Sequence, residues 1–81
     1  MSAPAYDRDK VDELTMALLY LVMSRHGDVG RASAGHDLAT LDRLRAKGWL
    51  AAADRKALSL LVTPEGVQKA EEFFRKHFTA T

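Results

Sequence analysis

Two groups of residues in this sequence have side chains suited to chemistry: a set of cations in the middle of the chain and three histidines. Positions 31–56 hold six lysines and arginines against three aspartates, although the net charge of the whole chain is only +1. Clustered cations are what phosphate contacts require, and each such contact makes binding sensitive to salt. The same residues would also suit the solvated face of an ordinary small domain. The charge pattern therefore leaves phosphate binding and a plain polar surface both open.

The histidines do not form a recognisable site. His26, His36 and His77 lack close helical spacing and an obvious set of acidic companions, whereas a transition-metal site needs three or four converging ligands. The chain has no cysteine, and its serines lie in no nucleophile-elbow context. A chain of 81 residues also leaves little room for a ligand pocket of about 300 Å³ or more. We expect no enzyme activity, no metal and no cofactor.

The size of the chain indicates one small domain, with residues 1–6 as a loose arm and residues 7–81 as the folded part. A chain of this length buries only about 60% of its unfolded surface, so a partner subunit would add stability. The apolar stretch 14–23 is shorter than the about 20 residues needed to span a bilayer. It also follows four acidic residues, unlike a signal peptide. We therefore expect a cytoplasmic protein with no membrane partner.

The first predicted helix is apolar on nearly all sides. Asp7 or Asp9 would cap its start, and the glycines that follow would end it near Arg25. One side carries apolar residues at 11, 14, 18, 21 and 22, and the opposite side carries apolar residues at 16, 19, 20 and 23. A helix of this kind is buried on more than one face. In so small a protein the second face meets another element or another chain, which favours a homodimer.

The middle of the chain predicts a glycine-rich loop and then a second helix. The loop would cover residues 26–35, with room for one short turn around Val29–Ala34. Asp37 would cap the second helix, and Gly48 would end it. On this helix Arg43, Arg45 and Lys47 are expected mainly on the exposed side.

The last third of the chain predicts a hairpin and a final helix. Residues 50–62 alternate as strands do, but they also contain good helix formers; their position between Gly48 and Pro64 favours a hairpin with its tip at 54–56. Thr63-Pro64 is a strong helix start, and this helix would run to about Phe78. Its aromatic stripe, which includes Phe74, fits either the protein's own core or a partner-binding surface.

The segments Leu41–Leu44, Lys47–Leu50 and Val62–Gly66 resemble the recognition helix, wing and following helix of MarR- and PadR-type winged-helix regulators. Over a longer span, about 9–78, the chain resembles a small bacterial family described only as a domain of unknown function. That second resemblance implies no activity. Together they imply an α+β, winged-helix-like fold of helix, helix, β-hairpin and helix. The usual second helix of the helix-turn-helix would be shortened or missing, because only eleven residues, 26–36, are left for it.

The winged-helix resemblance implies a DNA-binding regulator, since such proteins place one helix in the major groove and the wing on the backbone. It assigns Ser33, His36 and Thr40 to base edges and the cations Arg43, Arg45, Arg55 and Lys56 to phosphates. It also implies a dimer through the first and last helices, with interface residues Leu19, Tyr20, Met23, Phe74 and Phe78. The alternative is a protein–protein interaction or dimerisation module that has lost DNA binding, which the eroded second helix and the near-neutral charge favour.

Overall fold

The computed structural model describes residues 4–33, 35–51 and 59–80. Its elements follow the order α1 (Arg8–Val22), β1 (Ser24–His26), β2 (Val29–Ser33), α2 (Leu38–Ala46), β3 (Ser59–Val62) and α3 (Pro64–Phe78). The strands form one antiparallel sheet in the order β1-β2-β3. The architecture is α+β and compatible with a winged-helix-like arrangement, which confirms the predicted fold class.

The three helices begin where the sequence predicts. The side chains of Asp7, Asp37 and Thr63 each accept a hydrogen bond from the backbone amide three residues further along the chain. Each cap satisfies an amide that the first turn of a helix leaves without a partner. The choice between Asp7 and Asp9 for the first cap is thereby settled in favour of Asp7.

The segment predicted as a glycine-rich loop is a β-hairpin instead. The first helix ends at Val22, earlier than the predicted Arg25, and β1 and β2 follow directly, with His26 paired to Val29. The two-residue turn between them begins with Gly27, whose φ of 65° is the left-handed value that such a turn requires at its first position. The hairpin occupies the place of the helix that the winged-helix comparison expects between α1 and α2.

The prediction of antiparallel pairing within residues 50–62 is confirmed for its described ends. Leu50 forms a β-bridge with Val62, and the amide of Ala51 donates to the carbonyl of Leu61 over 2.9 Å. The predicted tip, residues 54–56, lies outside the described residues. The other edge of β3 pairs with β2, a contact that the sequence did not predict.

The core lies between the sheet and the inner sides of the helices. The inner side of α1 carries Met16, Leu19 and Met23, which are buried together with α2, β3 and α3 residues. The other core residues are Ala32, Leu41, Leu44, Leu50, Leu60, Val62, Val67 and Ala70. The two apolar sides of α1 therefore have different surroundings. The side at 16, 19 and 23 packs in the core, and the side at 11, 14, 18, 21 and 22 points away from it.

Trp49 closes the junction between the end of α2 and the start of α3. Gly48, with a φ of 81°, turns the chain out of α2 as predicted. The ring of Trp49 packs edge-on against Phe73 at 5.5 Å, and the Lys47 ammonium lies 5.0 Å from its centroid. The carbonyl of Trp49 lies against Gly66 in the first turn of α3, so this junction brings two backbone segments into direct contact.

We expect Thr63→Val to lower the free energy of unfolding by about 1–2 kcal/mol. The Thr63 hydroxyl donates to the carbonyl of Gly48 over 2.7 Å and accepts from the amide of Gly66 over 2.9 Å. Valine keeps the shape of the side chain and removes both bonds. Urea denaturation measures the loss, with Thr15→Val on α1 as the same change at a position without a cap. Equal effects at both positions would contradict this role of Thr63.

Candidate functional site

The cation predicted to contact phosphate from the second helix, Arg43, points inward. Its guanidinium binds the carboxylate of Asp12 on α1, with Nη2–Oδ1 at 2.8 Å and Nε–Oδ1 at 2.9 Å. Lys47 binds the other oxygen of the same carboxylate over 2.8 Å. The prediction that Arg43 lies mainly on the exposed side is therefore wrong, because a buried acid on the neighbouring helix draws it in. We call Asp12, Arg43 and Lys47 the Asp12 cluster.

Asp12 is fully buried and remains ionised because of this cluster. Burial by itself would raise the pKa of its carboxyl, but the hydrogen bonds and positive charges of Arg43 and Lys47 outweigh burial and hold that pKa below its usual value. The same hydrogen bond to Asp12 raises the pKa of Lys47. The cluster joins α1 to α2, and the negative charge of Asp12 offsets part of the positive charge of Arg43 and Lys47.

The other predicted DNA contacts do not form one basic surface among the described residues. Thr40 is buried, and its hydroxyl donates to Asp37 over 2.9 Å and accepts from Arg43 over 3.1 Å. Arg45 pairs with Asp42 over 3.3 Å. The remaining ones are Ser33, exposed at the end of β2, His36, half-buried before α2, and Arg55 and Lys56, which lie outside the described residues.

The outward side of α2 is apolar and acidic. Leu38 is 75% exposed at its start, and Ala39, Asp42 and Ala46 are also exposed. In a winged-helix regulator this is the helix that enters the groove. Here it presents methyl groups and a carboxylate to the surroundings, which suits a protein partner better than a phosphate backbone.

The predicted dimer residues fall into two groups. Leu19 and Met23 are core residues, so their assignment to an interface is wrong: the opposite side of α1 is the one left uncovered. Tyr20 and Phe74 are half-buried and stack on each other with ring centroids 5.0 Å apart. Phe78 is 42% exposed at the end of α3.

Several exposed apolar side chains lie together on the outer face of α1, which we define as Val11, Leu14, Leu18, Leu21 and Val22. Leu18 is 50% exposed, Leu21 61% and Val22 66%, and Val11 and Leu14 are half-buried. An amphipathic helix normally presents polar residues on this side. Contiguous exposed apolar surface marks interaction sites on soluble proteins.

An ion pair also joins α1 to α3, beside the apolar contact between these two helices. Glu13 accepts from Lys76 over 2.9 Å and contacts Nε2 of His77 at 3.1 Å. The bonds from Lys76, then from His77, lower the pKa of the Glu13 carboxyl. Ion pairs therefore hold both flanks of α1, to α2 and to α3, and fix which side of α1 points outward.

Acid is expected to destabilise the fold below about pH 4.5, because three carboxyls have lowered pKa values in the folded state. They are Asp12, Glu13 and Asp37, the last lowered by its side-chain and backbone hydrogen bonds to Thr40. A lowered pKa contributes stability above the unfolded value, about 4, and that contribution is lost as pH falls through the folded value. Urea midpoints at pH 7, 5, 4 and 3 measure it; a midpoint unchanged to pH 3 would contradict the expectation.

In the described part of the chain, the depression and the side-chain clusters are poorly suited to binding a small molecule or a metal ion. One shallow depression of about 200 Å³ lies between α1 and α3 beside Tyr20 and Phe74. Among residues 4–33, 35–51 and 59–80, no three histidines or acidic residues converge as a metal site would require. Within the same residues, each helix is too short or too polar to cross a membrane.

Comparison with known proteins gives a family and one curated relative. Residues 7–80 match the family model described as "Domain of unknown function (DUF6429)". The chain is 38% identical over 73 residues to "Uncharacterized protein y4hR" of Sinorhizobium fredii, an alignment covering 90% of this chain and 95% of the relative. No solved structure matches the chain.

Proposed function

The chain belongs to the DUF6429 family, whose description assigns no activity, and we propose from its geometry that it is a non-enzymatic protein–protein interaction module. The observation that carries this proposal is the outer face of α1, where Leu18, Leu21 and Val22 are at least half exposed. Burying such side chains against a partner removes apolar surface from water, which is the dominant favourable term in most protein association.

The charges of α2 support the same proposal over DNA binding. The cations Arg43, Arg45 and Lys47 each lie within hydrogen-bond distance of a carboxylate in the protein itself. Two of them would have to leave the buried Asp12 before they could neutralise a phosphate. Releasing a buried carboxylate is costly, so these cations are poor contributors to a nucleic-acid interface.

A DNA-binding regulator is the second candidate, and Arg31 is the described residue that favours it. Its side chain is exposed on β2, and its Nη1 lies 3.4 Å from the hydroxyl of Ser59, a neutral partner. Arg55 and Lys56 belong to the same basic stretch of sequence.

Binding to a mixed pool of double-stranded DNA at about 50 mM and 200 mM salt separates the two candidates. For an interaction module we expect no measurable affinity at either concentration. Affinity at the lower salt that falls at least tenfold at the higher, and that is lost in Arg55→Ala/Lys56→Ala, would overturn the proposal in favour of a regulator.

The protein-binding arm of the test uses Leu18→Glu/Leu21→Glu, which places two charges on the outer face. The matched control is Leu38→Glu, the same change at an exposed leucine of α2. We expect self-association, or binding to a purified partner, to be lost in the double variant and kept in the control. Equal binding by all three proteins would contradict a role for the outer face.

A further inference from the structure

We infer that the exposed face of the β-sheet binds carboxylate side chains of an acidic segment in a partner protein. This inference rests on the proposed function and names the chemistry of the partner. Its starting observation is the alternation of β2, where buried residues at 30 and 32 separate exposed residues at 31 and 33. The strand therefore turns one face to the core and the other to the surroundings. We call Ser24, Arg31, Ser33 and Ser59 the Arg31 face.

The strand register gathers three serine hydroxyls around the guanidinium of Arg31. Ser24 of β1 lies directly opposite Arg31, and Ser59 of β3 lies directly opposite Ser33. Residues opposite each other in an antiparallel pair point to the same face, with Cβ atoms about 4.5–5.5 Å apart. Nη1 of Arg31 lies 3.4 Å from the Ser59 hydroxyl, so the side chain lies over the sheet toward β3. An anion there would meet one guanidinium and neighbouring hydroxyl donors.

Arg31 differs from the cations of the helices in having a neutral partner. On the helices, Arg43 binds Asp12 over 2.8 Å and Lys76 binds Glu13 over 2.9 Å. Among the described residues, Arg31 forms no ion pair and one hydrogen bond, to a serine hydroxyl. A guanidinium has five N–H donors arranged as a fork, so most of them remain for an incoming anion.

The charge of this face favours a carboxylate over a nucleic-acid backbone. The three described strands contain two arginines and no acidic residue. The register places Arg25 opposite Gly30, on the other face, so Arg31 is the one arginine that these strands contribute to the Arg31 face. A nucleic-acid backbone presents a row of phosphates and needs several cations along it. A single guanidinium matches the planar, bidentate geometry of one carboxylate, which an acidic protein segment supplies.

Binding of a short acidic segment to this face is expected to be weak. The face is open to solvent, and exposed charges contribute little and are screened by salt over about 10 Å at 0.1 M. We expect a dissociation constant on the order of 0.1–1 mM for an isolated segment. In a partner that also covers the outer face of α1, the same contact becomes intramolecular and adds to the affinity.

Titration of the ¹⁵N-labelled full chain, followed by amide chemical shifts, tests the inference at this affinity. The probe is a peptide of about twelve residues that alternates glutamate and serine, and its control replaces each glutamate with glutamine. At about 50 mM salt we expect the glutamate peptide alone to shift the amides of the Arg31 face, and the shifts to weaken at about 200 mM. Absence of these shifts at about 5 mM peptide, or equal shifts with the glutamine peptide, would overturn the inference.

Arg31→Gln and its matched control Arg25→Gln separate a site from general attraction. Both arginines are exposed on the same hairpin, but on opposite faces of it. We expect Arg31→Gln to weaken binding of the glutamate peptide at least about fivefold and Arg25→Gln to change it less than about twofold. Circular dichroism checks that both variants are folded. Equal weakening in both would overturn the Arg31 face as the site.

Failure of this inference is distinguishable from failure of the proposed function. If a DNA oligonucleotide or inorganic phosphate shifts the Arg31 face and the glutamate peptide does not, an acidic protein segment is overturned as the ligand. If the peptide does not bind while a purified partner still binds through the outer face of α1, the inference fails and the interaction module stands. If the peptide binds and Leu18→Glu/Leu21→Glu loses no partner binding, the Arg31 face stands and the role of the outer face of α1 fails.

Discussion

Asp12→Asn is expected to lower the free energy of unfolding by about 3 kcal/mol, within the range for breaking a buried ion pair by removal of one partner. Asparagine has nearly the same shape as aspartate, so the packing around position 12 is preserved, while the charge and one of the two acceptor oxygens are lost. Arg43 and Lys47 then face each other across a neutral amide, with much of their hydration already given up to the fold. The polar part of the contact between α1 and α2 is lost, while their shared apolar core remains.

Glu13→Gln is the matched control for this substitution. Glu13 is the next residue in the chain, and its carboxylate also contacts two side chains of α3, Lys76 and His77. Its side chain is partly exposed, whereas that of Asp12 is fully buried, and ion pairs that water reaches contribute less to stability than buried ones. Urea denaturation at pH 7 should therefore show a large loss for Asp12→Asn and a small one for Glu13→Gln. Similar losses for both would contradict the expectation that the buried ion pairs of Asp12 contribute more to stability than those of Glu13.

Gly66→Ala is expected to destabilise the protein by about 3 kcal/mol, although the same change usually stabilises a helix by about 1 kcal/mol. A methyl group at position 66 would overlap the backbone carbonyl of Trp49 and press on a methyl of Val62. The Trp49 carbonyl cannot turn aside freely, because it accepts a hydrogen bond from the amide of Thr63 over 3.1 Å. The start of α3 would have to move away from the end of α2.

The control for Gly66 is Gly35→Ala. A methyl group at position 35 would meet the hydroxyl of Ser33 at 3.5 Å, an ordinary contact, so we expect little change there. Thermal and urea unfolding of both variants give the comparison. An unchanged or higher stability for Gly66→Ala would show that the α2–α3 junction relaxes more easily than its backbone contacts suggest.

The local signals of the sequence predicted the helices well, because they depend on neighbouring residues alone. At Asp7, Asp37 and Thr63 a short acceptor side chain precedes helix-forming residues, and each of these residues caps a helix. The β1–β2 hairpin was missed for the opposite reason. Its Gly27-Asp28 turn is a recognisable hairpin signal, but the flanking strands are short and carry Ser, Arg, Gly and Ala. The hairpin is stabilised because β3 pairs with the other edge of β2. That contact joins residues distant in the sequence, so no local pattern indicates it.

The orientation of α1 could not be predicted from its apolar pattern. The two sides of the helix are almost equally apolar, and the side that becomes the core includes Asp12. An aspartate argues against a core position unless its partners are known. Those partners, Arg43 and Lys47, lie more than thirty residues away and were themselves expected on the surface. The ion pairs of Asp12 therefore accompany the burial of the side of α1 that carries Leu19 and Met23, and they place one of the four predicted phosphate contacts, Arg43, against a carboxylate of the same chain.

Trp49 is a natural fluorescent probe of the packing between the helices. The chain contains one tryptophan, so its emission comes from a single place. That indole lies beside the Lys47 ammonium, which also binds Asp12, and against the ring of Phe73 on α3. Separation of α2 from α1 or α3 would change the polarity around the indole, and its fluorescence would follow opening of the Asp12 cluster without an added label.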